Sequence, residues 1–121
     1  MFDRLAELVN SDAALVRRAR HLSVDFLVED GDTPYWISVR DGRITEVRQG
    51  DALLRSWRFA IRASAEAWRE FWQPMPRPGF HDVFAMCKAG TARIDGDLQP
   101  LMANLRVIKE MLAKPRGSTE E

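Results

Sequence analysis

The chain of 121 residues has a single cysteine, Cys87, and only two histidines, His21 and His81. One cysteine excludes an internal disulfide. Catalytic zinc normally takes three protein ligands, and His21, His81, Cys87 and the scattered carboxylates stand at no recognised ligand spacing. Net charge is missing as well, because 18 Lys and Arg stand against 18 Asp and Glu. Without a global field there is nothing to draw in nucleic acid or an anionic bilayer, so no nucleic-acid partner is expected. No apolar run approaches the roughly 18 residues of a membrane-spanning helix, so membrane contact is peripheral at most. No N-terminal run combines basic residues, a long apolar stretch and a cleavage site, and a cytoplasmic location is expected. Also missing are a Gly-x-Ser-x-Gly elbow, a phosphate-binding glycine loop and a dinucleotide fingerprint. No catalytic residue, metal ligand or cofactor is therefore assigned, and the chain does not read as an enzyme.

What is present is pattern. Phe2, Leu5, Ala6, Leu8 and Val9, then Ala14, Leu15 and Ala19, suit two short amphipathic helices broken at Ser11 and Asp12, either of which can cap the second. From Ser23 the period changes to two, with Val24, Phe26 and Val28 on one side of a half-buried strand. Residues 31–34 supply a turn, and Tyr35, Ile37 and Val39 then alternate with Trp36, Ser38 and Arg40. Asp41-Gly42 reads as a tight reversal into a returning strand over residues 44–48. Trp57, Phe59 and Ile61 face inward on a fourth strand, with Arg58 and Arg62 outward. Ser64 caps a helix reaching Trp72, with Glu66 at the positive end of its dipole. Three prolines and a glycine over residues 73–79 require an extended loop. Asp82 to Ala89 forms a short helix ended by Gly90, and Thr91 to Asp95 a fifth strand. Asp97 caps one final helix, with Pro100 in its first turn and an apolar stripe of Leu98, Leu101, Met102, Leu105, Ile108 and Leu112. Pro115 stops it. Length and pattern together indicate one domain over residues 1–114 with a disordered tail over 115–121, in the α+β class: a five-stranded, mostly antiparallel sheet with helices packed on one face.

This order of elements resembles the sterol carrier protein 2 domain. The likeness spans nearly the whole chain and is sharpest in CKAGTARIDGDLQPLMANLRVIKEML, with Gly90, a short strand over 92–95, Gly96-Asp97 and an amphipathic helix. A second match is WRFAIRASAEAWREFW, where Ser64 and Trp68 stand at the family's capping and helical aromatic positions. The resemblance implies a non-catalytic carrier with an apolar tunnel between sheet and helices, holding a lipid, fatty acyl or sterol-like molecule. The Pro-rich loop over 73–79 is longer and stiffer than the family pattern. Ser118 to Glu121 lacks the peroxisomal address of the eukaryotic carriers, which fits a bacterial-type cytoplasmic protein.

The candidate residues follow from that reading. Trp57, Phe59, Trp68, Phe71, Trp72, Phe80 and Phe84, with Met86, Met102 and Met111, supply aromatic faces and adaptable thioethers. Four tryptophans in so short a chain are hard to bury completely, and an exposed apolar patch marks a ligand or partner site. The ligand-binding set expected is Phe26, Ile37, Trp57, Phe59, Trp68, Phe84, Met102, Leu105 and Ile108. The competing reading is an interaction protein with a filled core, whose Trp72 and Pro-rich loop contact a homodimer mate or an enzyme partner. His81-Asp82 reads as a loop histidine beside a helix start, and Cys87 as a structural thiol. Arg17, Arg18, Arg20 and His21 read as a solvated basic helix face, with an anionic head group as the functional alternative.

Overall fold

The computed structural model describes residues 2–50 and 56–116. A 3-10 turn over Phe2–Arg4 leads into α1 (Leu5–Asn10). Asp12 then caps α2 (Ala13–Arg18), its carboxylate accepting the Leu15 N–H at 3.1 Å. This satisfies one of the donors that a helix start leaves free. β1 (Val24–Asp30), β2 (Thr33–Arg40) and β3 (Arg43–Gln49) form the antiparallel meander. The first turn is tighter than expected, for Thr33 and Pro34 already belong to β2, opposite Asp30 and Glu29. The second reverses at Asp41-Gly42, both with positive φ, 52° and 82°. That is the geometry which matches the twist of a two-residue hairpin.

β4 (Phe59–Ala63) lies parallel to β1, and β5 (Ala92–Gly96) antiparallel to β4, giving the strand order β3-β2-β1-β4-β5. The sheet is thus mixed, with one parallel pair among antiparallel ones. Between β4 and β5 run α3 (Ala65–Phe71) and α4 (Val83–Ala89), capped by Ser64 and Asp82 respectively. Gly90 ends α4 in the left-handed conformation at φ 82°, as a C-terminal glycine does.

The expected single C-terminal helix is two. α5 (Gln99–Ala103) and α6 (Leu105–Ala113) meet at Asn104, whose φ of −125° and ψ of 30° leave the helical range. The Asn104 side-chain amide donates to the Pro100 carbonyl at 3.0 Å, a local bond that competes with regular helix. Asp97 accepts the Gln99 N–H at 3.1 Å but pairs mainly with Arg58 at 2.7 Å, and the helix begins after Leu98. The break changes the apolar stripe. Leu101 is buried, whereas Leu98 is 41% and Met102 55% exposed.

Pairing in register brings Phe26 between Ile37 and Phe59, and Val28 between Tyr35 and Ile61. The described helices contribute to the core on this face. Phe2, Leu5, Val9, Leu15, Trp68, Phe71, Trp72, Val83, Met86, Leu101, Ile108 and Met111 join it in one core cluster. The Phe26 and Phe59 rings stack 5.0 Å apart, and Phe2 stands edge-on to Trp68 at 5.0 Å. Each such fully buried large side chain contributes about 1.5–3 kcal/mol. The opposite face carries charge: Arg62 bridges Glu29 and Asp95, Arg93 joins Asp95, and Arg40 holds Asp25 at 2.9 Å. Beneath these lie Leu27, Ala60 and Trp36, all buried, with the Trp36 indole N–H donating to the Ser56 carbonyl at 3.0 Å.

α6 is fastened on several sides. Arg18 of α2 pairs with Glu110, Asp12 with Lys114, and Asp82 with Lys109. The Trp72 indole N–H donates to the Leu112 carbonyl at 2.9 Å. Packing also continues past the expected domain end: Pro115 is buried, and Arg116 donates to the carbonyls of Phe71 and His81 while lying 4.8 Å over the Phe71 ring. The remainder of the expected tail, residues 117–121, lies outside the described residues.

Candidate ligand site

Five of the nine residues expected to hold a ligand lie deep in the core: Phe26, Ile37, Phe59, Trp68 and Ile108 are at most 1% exposed. Phe84 and Leu105 are half-buried and pack against that core. Two stand elsewhere. Met102 turns to solvent because Asn104 breaks the stripe it belonged to. Trp57 precedes β4 instead of forming part of it, does not join the core cluster, and sits 5.9 Å from the Arg62 guanidinium. Arg62 belongs to the charged face of the sheet, so the expected inward alternation begins only at Phe59.

The expectation that four tryptophans leave an exposed aromatic patch is corrected by the structure. Trp36, Trp68 and Trp72 are buried, and each indole N–H finds a backbone carbonyl, at Ser56, Glu29 and Leu112. A buried indole with its N–H bonded is stable without any partner molecule. Trp72 is therefore not the contact residue that the interaction-protein reading made it. In the Pro-rich loop the large apolar side chain facing solvent is Met75, 90% exposed.

Asp82 and Cys87 have structural surroundings. Asp82 does not orient His81; its carboxylate accepts the Ala85 N–H at 2.9 Å and meets Lys109 at 3.1 Å. Burial pushes the Asp82 pKa up, but the backbone N–H bond and the Lys109 ammonium outweigh it and hold the carboxyl below its usual range. For the half-buried Cys87 thiol, burial first and the Asp82 charge second raise the pKa, the reverse of what activates a nucleophile. Among the described residues no three His, Cys, Asp or Glu side chains converge as metal ligands.

Among the described residues, four hollows open at the surface around the core. One of about 400 Å³ opens at the end of β1 and β4, beside Glu29, Arg62, Ser64, Thr91 and Arg93. Its arginines are already engaged by Glu29 and Asp95. A neighbouring one of about 420 Å³ lies against α3, where Arg77 covers the Phe80 ring at 4.9 Å and pairs with Glu70 at 3.2 Å. The third is a pair of adjoining hollows at the α5–α6 break, about 320 and 230 Å³, that share Leu105 and Arg106. Leu105 is the one member of the predicted set that lines any of them. The other described lining here includes Arg18, Val107 and Lys109. Leu105 and Val107 pack against the core, so the floor of this cleft is continuous with the apolar interior. In sequence, Arg106 and Lys109 read only as polar positions off the helix stripe, and nothing in the primary structure joins them to Arg18.

No family model matches the sequence, and no curated protein matches it. Solved structures do. The chain superposes on a sterol carrier protein 2 with a TM-score of 0.67 and 15% identity, covering 96% of this chain and 93% of that one. A UbiJ-SCP2 ubiquinone synthesis protein superposes with a TM-score of 0.60 and 15% identity, over 98% of this chain and 88% of that one. The sterol carrier protein domain 2 of Helicoverpa armigera gives 0.61 and 17%, over 93% and 84%. Likeness of this extent, along nearly the whole of each chain, means that the protein has the sterol carrier protein 2-like fold.

Proposed function

We propose that this chain is a non-catalytic carrier of a lipid, fatty acyl or sterol-like molecule, which it holds between the inner face of the sheet and the helices. The observation that carries the reading is the cleft at the α5–α6 break, whose Leu105 and Val107 floor runs into the aromatic core. Solved proteins of the same fold bear the name sterol carrier, which agrees with it. None of the described hollows reaches into the core, so a guest enters by parting side chains, and Leu105, Ile108, Phe84, Phe26, Ile37, Phe59 and Trp68 form the wall it meets. Met102 and Trp57 take no part in that wall: Met102 faces solvent and Trp57 lies against Arg62. α5 is the element that gives way. It is five residues long, buries Leu101 alone, has the Asp97 carboxylate as the acceptor at its first N–H and ends in a break, whereas α6 is fastened on several sides. Burying about eight methylenes at about 0.8 kcal/mol each gives about 6 kcal/mol, enough to offset such a local opening. Few polar contacts are involved, so specificity for the chain is broad. A cytoplasmic setting suits this role; no helix among the described residues is long and apolar enough to cross a membrane.

Native mass spectrometry of freshly purified protein, with solvent extraction, tests the proposal alongside titration of tryptophan emission by hexadecanol, hexadecanoic acid and cholesterol. A co-purifying apolar compound, or an emission shift from the interior Trp68, is the expected result. Absence of any bound compound together with unchanged emission for all three probes would refute it.

A further inference from the structure

Among the described residues, one edge of the sheet is covered and the other is open. At β3 the Asn10 side chain takes up both the N–H and the carbonyl of Ile44. At β5, the opposite edge, no side chain does the equivalent. We infer that a second copy of this chain covers it: two β5 strands pair antiparallel about Ile94 and join two five-stranded sheets into one, with both inner faces on the same side. Pairing of this kind does not depend on what the interior holds, so the carrier proposal stands or falls without it.

The ladder between β4 and β5 fixes which backbone groups are free. The Asp97 N–H donates to the Arg58 carbonyl at 2.7 Å. In the alternation of an antiparallel pair this makes Phe59 and Gly96 a non-bonded pair, so that Asp95 exchanges bonds with Ala60, and Arg93 with Arg62. The N–H and carbonyl of Ala92 and Ile94 therefore point away from β4, and among the described residues they find no partner there. A row of unpaired groups on an edge strand is a template for another strand.

Charge complementarity selects the occupant and the register. With Ile94 opposite Ile94 of the second copy, Arg93 faces Asp95 of that copy and Asp95 faces its Arg93, and the two-fold axis makes the two crossings equivalent. Both are non-hydrogen-bonded positions, where opposed side chains stand closest and opposite charges attract. A shift of two residues sets Arg93 against Arg93 or Asp95 against Asp95. A shift of one sets the charged face of one copy beside the apolar face of the other. The Arg93 side chain is 71% exposed, so it reaches across without leaving a buried site. Arg62 and Arg93 both donate to Asp95 Oδ2, at 2.9 and 3.0 Å, so Oδ1 can accept from a guanidinium opposite. On the inner face Ile94 is half-buried against the core cluster, and its counterpart covers the remainder. A strand of unrelated sequence has no such match at all three positions.

A ladder of five residues is small for a permanent interface, so the dimer is a weak one. Sedimentation equilibrium of the full chain, loaded at about 5 to 500 µM, should show a monomer–dimer equilibrium with its midpoint on the order of 100 µM. Arg93→Glu and Asp95→Lys each place like charges at both crossings and should weaken association about tenfold or more. Mixed in equal amounts the two variants should associate as wild type does, because each new charge then meets its opposite. The Ile94 amide should exchange its hydrogen more slowly as concentration rises, while the Ile44 amide, already bonded to Asn10, stays constant. Arg93→Glu lies opposite Arg62 of its own sheet, so the fold tolerates it. Should Asp95→Lys lose its circular dichroism, Arg93→Glu and the Ile94 amide decide the matter. A chain that stays monomeric to 500 µM, a dimer that Arg93→Glu leaves as tight as before, a folded pair of variants that does not associate on mixing, or an Ile94 amide indifferent to concentration would each overturn the proposal.

Discussion

Gly42 shows what one missing Cβ does for this fold. It occupies the second position of the β2–β3 hairpin at φ 82°, and a Cβ built there would stand 2.7 Å from the carbonyl carbon and oxygen of Ala19 and 2.8 Å from the Val16 carbonyl oxygen. The end of α2 therefore rests directly on the turn, and the Gly42 N–H donates to the Leu22 carbonyl at 3.0 Å. Any side chain meets backbone on one side and an unfavourable φ on the other. Gly42→Ala is expected to cost at least about 2 kcal/mol, read as a lower urea midpoint at unchanged m-value. Asp41-Gly42 was recognisable as a turn from its dipeptide alone. That α2 packs onto it was not, because a contact between residues 19 and 42 has no local sequence signature.

At the scale of elements, the exposed edge of the sheet raises the problem of unpaired backbone, and a helix answers it. The Asn10 side-chain amide donates to the Ile44 carbonyl at 2.9 Å and accepts the Ile44 N–H at 2.9 Å. α1 thereby supplies, from one side chain, the pair of bonds that a further strand would give to β3, and it covers an edge that otherwise invites pairing with another chain. Asn10→Ala should destabilise the protein by about 2 kcal/mol, since it leaves the Ile44 donor and acceptor unpaired. The same urea measurement checks this, and exchange of the β3 amide hydrogens should rise more than that of β1. The helix caps at Asp12, Ser64 and Asp82 were legible because capping is a matter of three or four adjacent residues. The division of the last helix was not. Leu98, Leu101, Met102, Leu105 and Ile108 keep helical spacing through Asn104, yet the helix breaks there, with the Asn104 side chain bonded to the Pro100 carbonyl, and Leu98 and Met102 face solvent while Leu101 and Ile108 stay buried.

For the whole molecule, carboxylates tie the layers together, and acid should loosen them. Arg18 bonded to Glu110 holds that carboxyl below its usual range. Asp25 and Asp82 are pushed up by burial, but hydrogen bonds from Arg40 and Ser38, and from the Ala85 N–H and Lys109, outweigh it and lower both. A folded-state pKa below the unfolded one contributes stability that is complete above the unfolded value, 3.8 for Asp and 4.5 for Glu, and is lost as pH falls through the folded value. Unfolding free energy from urea titrations should therefore hold down to about pH 5 and decline below about pH 4. Asp82→Asn keeps a capping side chain but removes the carboxylate charge that faces Lys109, so its decline on acidification should be shallower. A decline as steep as that of wild type would show that Asp82 takes no part in it.

The division between what primary structure determines and what folding decides runs along distance in the chain. Alternation of period two, helical stripes, turn dipeptides and caps are local, and from them came the elements, the mostly antiparallel sheet and the single helical face. Burial of the tryptophans is not local. Trp68 and Trp72 reach carbonyls 39 and 40 residues away, and it is those bonds, not composition, that let so much aromatic surface disappear inside. The cleft is likewise a product of folding. Arg18 and Arg106 meet beside it because α2 packs on α6, and Met102 leaves it because Asn104 bends the chain. Periodicity tells which face of an element is apolar; only packing decides whether that face closes on itself or leaves room.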